Sequence, residues 1–137
     1  AFMKGRVQNT PSPPLWLYTP GKGHEKTALA VMAAASETGA AFHPFGPESA
    51  GMKLRALLAG GGPVPAETPP EEPVLLIQGF DRKGLDAVLR ALREKTAEMG
   101  AVPVALKAVV TPTNLDWTVE ALARELRQEH RLMHGEK

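Results

Sequence analysis

One polar turn carries residue types that could bind a ligand. It follows the apolar, strand-like run 105–110 and precedes a helical pattern. A lysine can hold an anion, the start of a helix offers unpaired N–H groups, and an indole ring provides an apolar wall. The turn therefore predicts a pocket that recognises an anion or an amide. The candidate ligand-binding residues are Lys107, Thr111, Thr113, Asn114 and Trp117.

The same turn can also be purely structural. Asn and Thr side chains can satisfy the amides at a helix start, and Pro112 stiffens the turn. In this interpretation Trp117 covers the end of the sheet, while Lys107 extends its ammonium to solvent. Asp116 is the nearby acidic residue, so recognition is easier to defend than acid–base catalysis. Both interpretations stay open at this stage.

The segment 20–27, PGKGHEKT, imitates a phosphate-binding loop between a strand and a helix. That motif needs glycine at its first and sixth positions, where this chain has Pro20 and Glu25. The pattern therefore argues against a nucleotidase, although glycines at a helix start can still hold a lone anion. The candidates for that role are Gly21, Gly23 and Lys26.

A metal site and a cofactor are both disfavoured. His130 and His134 are four residues apart, which suits a metal on a helix, but they lie in a polar tail where we expect solvent exposure. The chain has no cysteine, which excludes disulfides, thiol nucleophiles, iron–sulfur clusters and thiolate zinc sites. The catalytic residues remain unknown, and we predict no metal and no cofactor.

The composition limits the classes of binding partner and the cellular compartment that we expect. With 16 basic and 15 acidic residues, the net charge is +1, so neither nucleic acid nor a membrane surface is an expected partner. No apolar run approaches the roughly 18 residues of a membrane span, and residues 1–14 lack the apolar part of a signal peptide. We expect a cytoplasmic protein whose partner is a small ligand or another protein, and the oligomeric state stays open.

The strands and helices that would position these residues are predicted from the periodicity of the apolar residues and from the positions of proline and glycine. Residues 1–14 predict a disordered arm, because they have no period and end in prolines. Residues 15–137 predict a single domain, whose halves 15–59 and 74–130 are joined by a Gly- and Pro-rich connector, 60–73. The predicted strands are 15–19, 41–45, 74–80 and 105–110, and the predicted helices are 24–38, 52–58, 82–99 and 115–126.

Three of these elements carry more specific expectations. Pro44 predicts that the second strand lies at an edge, because proline cannot donate to a ladder. The third strand is apolar without alternation, which predicts that both of its faces are covered. In the third helix, Asp81 suits an N-cap and Gly100 a left-handed C-cap.

The alternation of strands and helices predicts an α/β fold. We expect a four-stranded, mostly parallel sheet of the doubly wound type, with helices on both faces and two similar βαβα halves. The loops TPGKGH, FGPES, GFD and TPTN would then share the edge where such sheets bind ligands. A ferredoxin-like α+β fold is the alternative, but its open sheet face would make the third strand alternate.

The run KAVVTPTNLDWT, preceded by VLLIQGF, resembles a family of bacterial proteins known as a domain of unknown function. The resemblance covers roughly Val74 to His130 and rests on Lys, two Thr, Pro, Asn and Trp at fixed spacing. It implies an uncharacterised bacterial domain and brings no catalytic residues.

Two functional classes therefore remain. The sequence favours a non-enzymatic binding or regulatory module for a small anionic ligand or a partner protein. The alternative is a small enzyme that acts on an anionic or phosphate-bearing substrate. Such an enzyme needs a titratable group with a displaced pKa in a cleft.

Overall fold

A computed structural model describes the backbone of residues 13–133 and the side chains of residues 13–130. The predictions for residues 1–12 and for His134 lie outside the described residues. Within the described range the chain alternates strands and helices, with short 3-10 helices at Pro47–Ser49 and Asn114–Asp116. The elements are β1 (Pro14–Tyr18), α1 (Glu25–Thr38), β2 (Ala41–Phe45), α2 (Leu54–Leu58), β3 (Val74–Ile77), α3 (Arg82–Met99), β4 (Leu106–Val109) and α4 (Val119–Met133).

The boundaries of α3 follow from its capping residues, as predicted. The Asp81 carboxylate accepts a hydrogen bond from the Gly84 N–H at 2.7 Å, which satisfies one of the unpaired amides of the first turn. At the other end Gly100 has φ 63°, a left-handed conformation that glycine adopts without a Cβ clash. The predicted extent of this helix is confirmed.

The sheet is mixed, which corrects the prediction of a doubly wound parallel sheet. Its strand order is β2–β1–β3–β4. The outer pairs β1–β2 and β3–β4 are parallel, whereas the central pair β1–β3 is antiparallel. Each parallel pair is joined through a helix, as parallel neighbours require, but the long connection from β2 to β3 reverses the direction of the second pair. The proposed similarity of the two halves stays a prediction.

The reversal moves the loops that were expected at one edge. The carboxyl ends of β1 and β2 lie at one end of the sheet, and those of β3 and β4 lie at the opposite end. The prediction that TPGKGH, FGPES, GFD and TPTN share a ligand-binding edge is therefore wrong. The physical reason is that hydrophobic periodicity fixes which residues form a strand but not the direction of that strand in the sheet.

Helices cover both faces of the sheet, as predicted, so the ferredoxin-like alternative with one open face does not apply. All four residues of β3 are buried, which confirms the prediction that both of its faces are covered. Each buried leucine contributes about 1.5–3 kcal/mol through the hydrophobic effect. On one face α1 and α3 pack on Leu15, Leu17, Leu75 and Ile77. On the other face α2 and α4 pack on Tyr18, Val74, Leu76 and Leu106.

The connector, residues 60–73, contains no helix or strand but is held to the domain at several points. The Tyr18 hydroxyl donates to Pro70 O at 2.9 Å, and the Thr68 N–H donates to a Glu120 carboxylate oxygen at 3.0 Å. A Cβ at Gly51 would lie 2.4 Å from Pro65 O, so the connector passes too close for any other residue there. These contacts fix the connector beside α4.

None of the helices between residues 13 and 133 combines the length and apolar character needed to cross a membrane.

Candidate functional site

The loop after β1 already uses its own carboxylate at the place where an anion would bind. Gly21 and Gly23 have φ values of 120° and 96°, and Lys26 is exposed. The Gly23 N–H donates to both Glu25 carboxylate oxygens, at 3.2 and 3.4 Å. An external anion would have to displace Glu25, and the loop lies at the opposite end of the sheet from the turn after β4. The role of Gly21, Gly23 and Lys26 in holding an anion stays a prediction.

The turn after β4 is built around the Asn114 side chain. Its Oδ1 accepts the Thr111 N–H at 2.9 Å, and its Nδ2 donates to Val109 O at 3.1 Å. The backbone N–H of Asn114 donates in turn to Thr111 Oγ1 at 3.3 Å. Asn114 is buried, so its amide stabilises the turn, while Thr113 is exposed beside it.

The start of α4 offers few donors to a ligand. The helix was predicted to begin at Leu115, but it begins at Val119, and Thr118 Oγ1 accepts the Ala121 N–H at 3.1 Å. The Val119 N–H donates to Met52 O at 3.2 Å, and the Glu120 N–H donates to Ala50 O at 3.1 Å. The amides that were expected to bind an anion are therefore satisfied within the protein. Sequence reasoning missed Thr118, although a threonine directly before the first apolar residue of a helix is a typical N-cap signal.

Trp117 borders a broad cleft of about 760 Å³ on the exposed side of α4. Both arginines of its lining are paired with carboxylates: Arg127 contacts Glu72 at 3.1 Å and Arg124 contacts Glu120 at 3.6 Å. Asp116 pairs with Arg55 at 3.1 Å, and the hydrogen bond and charge of Arg55 lower the pKa of Asp116. A charged ligand would have to compete with these ion pairs, so we do not place the main site here.

Lys107 lies on the other face of the sheet from Trp117. In the parallel ladder Lys107 is the partner of Leu75, which belongs to the core under α1 and α3. Paired residues of neighbouring strands point to the same face, so Lys107 points toward α3. Its Nζ donates to Val104 O at 2.8 Å. The ammonium thus lies in a groove between α3 and β4 rather than in the polar turn.

This groove is an apolar cavity of about 410 Å³, and among residues 13–130 its lining contains cations and no carboxylate. Much of the Lys107 residue is exposed, but the end of its side chain is partly desolvated in the groove, and this burial lowers the pKa of Lys107. Arg93 supplies a second cation at the rim. The remaining lining residues are Val31, Leu89, Leu92, Thr96, Ala97, Ala101, Pro103 and Val104.

The buried tyrosine shows that a displaced pKa need not mark a site. Burial, and to a smaller extent the charge of Glu48, raise the pKa of Tyr18 to about 12. The Tyr18 hydroxyl is fully buried and donates to Pro70 O, so its role is to hold the connector against the domain. Among the described residues no group of three or more His, Cys, Asp or Glu side chains is arranged to hold a metal.

The structure therefore separates the predicted site residues into four places. Gly21, Gly23 and Lys26 lie in or directly after the loop that follows β1. Thr111 and Asn114 meet in the turn after β4, and Thr113 lies in the same turn. Trp117 faces the α4 side, whereas Lys107 lies in the groove beside α3.

The model of DUF3783, a domain of unknown function, matches residues 73–133. This segment contains β3, α3, β4 and α4, and it includes the range 74–130 of the resemblance. No curated protein matches the chain.

The matched segment contains nearly the whole groove. Of the lining residues in the described part of the chain, only Val31 of α1 lies outside residues 73–133. The groove is therefore formed by the part of the chain that the family model describes, whereas the loop with Gly21 and Gly23 lies outside it.

Proposed function

We propose that the protein is a non-enzymatic binding module and that the groove between α3 and β4 holds a ligand with an anionic group and an apolar body. The observation that carries this proposal is the Lys107 ammonium, which lies in an apolar groove without a carboxylate partner among the lining residues that the structure describes. We further propose a bacterial, cytoplasmic protein, which the family resemblance and the lack of cysteine support.

The size and chemistry of the groove support a small ligand. Its volume of about 410 Å³ lies within the range of roughly 300–1,000 Å³ that small-molecule sites occupy. An ammonium has three N–H donors, and Val104 O accepts from Lys107, so donors remain for an anion. Arg93 can add charge from the rim. Leu89 and Leu92 can cover an apolar chain or ring.

Catalysis has less support at this place. A general acid–base reaction needs a second group that can exchange a proton with the substrate. Besides Lys107, the described lining residues offer the guanidinium of Arg93, which has hydrogen-bond donors but no acceptor, and the hydroxyl of Thr96. Asp116 lies on the other face of the sheet, where it pairs with Arg55. Recognition by charge and apolar contact therefore accounts for the groove better than an enzymatic reaction.

A thermal-shift experiment with charge-matched probes tests this function. The probes are octanoate and octylammonium, which share an apolar chain and differ in the sign of the head group. We expect octanoate to raise the melting temperature, because a ligand that binds only the native state stabilises it by about 1.4 kcal/mol at ten times its Kd. Octylammonium should give no comparable increase.

Two lysine variants localise the effect. Lys107→Met keeps the aliphatic stem and should abolish the stabilisation by octanoate. The control is Lys83→Met, which removes an exposed lysine of α3 that does not line the groove. The Lys83 variant should respond like the wild type. Full stabilisation of Lys107→Met by octanoate, or equal stabilisation of the wild type by octylammonium, would contradict the proposed function.

A further inference from the structure

We propose that the ligand of this groove is the C-terminal end of an extended, apolar peptide, which pairs antiparallel with the open edge of β4 and places its terminal carboxylate at Lys107. This inference rests on the proposed function, since it uses the same groove and the same cation. It adds a partner class, a binding mode and a direction.

The backbone of β4 directs two N–H groups toward an open edge. The Val110 N–H donates to Ile77 O at 2.8 Å, so Val110 points toward β3. Because backbone groups alternate along a strand, Ala108 also points toward β3, while Lys107 and Val109 point away from it. β4 is the last strand of the sheet formed by residues 13–133. The N–H groups of Lys107 and Val109 therefore face an edge to which a further strand can be added.

This edge is short and closed at both ends. At one end Asn114 Nδ2 donates to Val109 O, so that carbonyl is already used. At the other end Pro103 has no N–H, and the chain leaves the sheet before Leu106. A paired segment has room for about five residues beside the four strand residues 106–109 and Ala105, which directly precedes them. A chain that ends there fits this limit better than one that must continue.

The position of the cation sets the direction of the peptide. The Lys107 side chain turns back along the strand and reaches Val104 O, which places its ammonium toward the beginning of β4. A peptide antiparallel to β4 runs from the Val109 side to the Val104 side, so its C-terminus arrives at this ammonium. Alternate side chains of such a peptide point into the groove against Leu92 and Val104, and the exposed Val109, at 46%, adds apolar contact.

Protection against aggregation and pairing with a second copy are weaker roles for this edge. A lysine on an edge strand often serves to prevent aggregation, but such a lysine extends past the edge, whereas the Lys107 ammonium folds back onto Val104 O. A second copy of this chain, paired through β4, would bring its own Lys107 close to that of the first copy. Like charges across a strand pair are destabilising, so charge complementarity favours a carboxylate-bearing partner.

The test uses synthetic peptides with the full chain. The parent probe is an acetylated peptide of about five residues, with alternating valine and threonine and a C-terminal leucine that bears a free carboxylate. We expect it to bind, to protect the Lys107 and Val109 amides from hydrogen exchange, and to lose about tenfold in affinity when the carboxylate is replaced by an amide. Lys107→Met should remove that difference between the two peptides.

Backbone methylation of the peptide tests the strand pairing without changing the protein. Methyl groups on the amide nitrogens that face β4 should abolish binding, whereas methyl groups on the alternate, outward nitrogens should leave it unchanged. Equal binding of the two methylated series would overturn the strand pairing. If octanoate still stabilised the wild type through Lys107, the proposed function would stand. If octanoate also had no effect, the function itself would fail.

The oligomeric state provides the remaining outcome. A dimer whose Lys107 and Val109 amides are protected without peptide would show that a second copy occupies the edge, and this result would overturn the peptide proposal.

Discussion

The two outer edges of the sheet are protected in different ways. In β2, Phe45 O accepts a hydrogen bond from the Thr19 N–H at 3.1 Å, and the Ala41 N–H donates to Pro13 O at 3.0 Å. The backbone groups of Ala41 and Phe45 therefore point toward β1. By alternation, Pro44 points away from β1 toward the open edge. Proline at this position costs no ladder hydrogen bond and removes a donor from the edge, so β2 is a poor template for a further strand.

The β4 edge has no such protection over its strand residues. Lys107 and Val109 direct their N–H groups outward, and the groove beside α3 lies next to them. Pro44 blocks the β2 edge because its backbone nitrogen points outward and has no hydrogen to donate. Asn114 occupies one acceptor of the β4 edge, Val109 O, and leaves the outward N–H groups of β4 available. The position of a residue relative to the ladder, rather than its type alone, therefore decides whether an edge is closed.

Proline substitutions in β4 should have the strongest effect, and they test which groups point inward and outward. Ala108→Pro should destabilise the protein by about 1–3 kcal/mol or more, because it leaves a β3 carbonyl unpaired within the sheet. Val109→Pro should cost clearly less, since that N–H points outward. On the other edge, Pro44→Ala should be close to neutral. Urea unfolding measures all three, and equal losses for the two β4 variants would refute the assignment.

The next largest loss of stability is expected at Asn114, whose side chain binds Val109 O at the end of the β4 edge. Asn114→Ala removes the bonds to Thr111 N and Val109 O from a buried position, so we expect a loss of about 1–3 kcal/mol in the free energy of unfolding. Thr118→Ala should cost about 1 kcal/mol as an N-cap of α4, and Thr118→Ser should restore it. If Asn114→Ala were silent, the turn would not depend on its amide.

A smaller effect follows from the pKa of Lys107. Burial lowers the pKa of Lys107 in the folded state from its ordinary value of 10.5. Between the two values the unfolded chain binds more protons, so the stability of the wild type relative to Lys107→Met should rise with pH in that alkaline window. Stabilisation by octanoate should fall in the same window, because the ammonium loses its proton. A stability difference that stays constant with pH would argue against a desolvated ammonium.

The weakest effect is expected at the rim of the groove. Arg93 is exposed, so Arg93→Ala should change the free energy of unfolding by less than about 0.5 kcal/mol. Its contribution to octanoate binding should be weaker than that of Lys107, because exposed charges are screened by water and salt. Calorimetric titration of both variants with octanoate measures these two contributions. A larger loss of affinity in Arg93→Ala than in Lys107→Met would show that the anion is held at the rim.

Much of the fold was predictable because its signals are local. Asp81 and Gly100 mark the ends of α3 through capping and backbone sterics, and Pro44 marks an edge strand through its missing donor. The direction of β3 was not predictable in this way, since it depends on how the connector returns the chain to the sheet. One reversed strand pair then placed the loops of the two halves at opposite ends.

The candidate site was predictable only in part. Lys107 was identified as the unusual cation of an apolar strand, but proximity in sequence linked it to Trp117, and the structure places the two side chains on opposite faces. The groove itself lies between the second half of α3, which contributes Leu89, Leu92, Arg93, Thr96 and Ala97, and the start of β4. Eighteen helical residues span about 27 Å, whereas four strand residues span about 13 Å. The helix is therefore longer than the strand beside it, a difference that the sequence pattern of each element alone does not turn into a groove.

Chemical-shift mapping of the backbone amides during an octanoate titration distinguishes the groove from the two loops that sequence reasoning favoured. We expect changes that are centred on Leu92, Val104 and Lys107, with Gly23 and Trp117 unaffected. Lys107→Met should remove those changes at the same octanoate concentration. Changes centred on the loop of Gly23 or on Trp117, with the groove residues unmoved, would contradict the assignment of the binding site to the groove between α3 and β4.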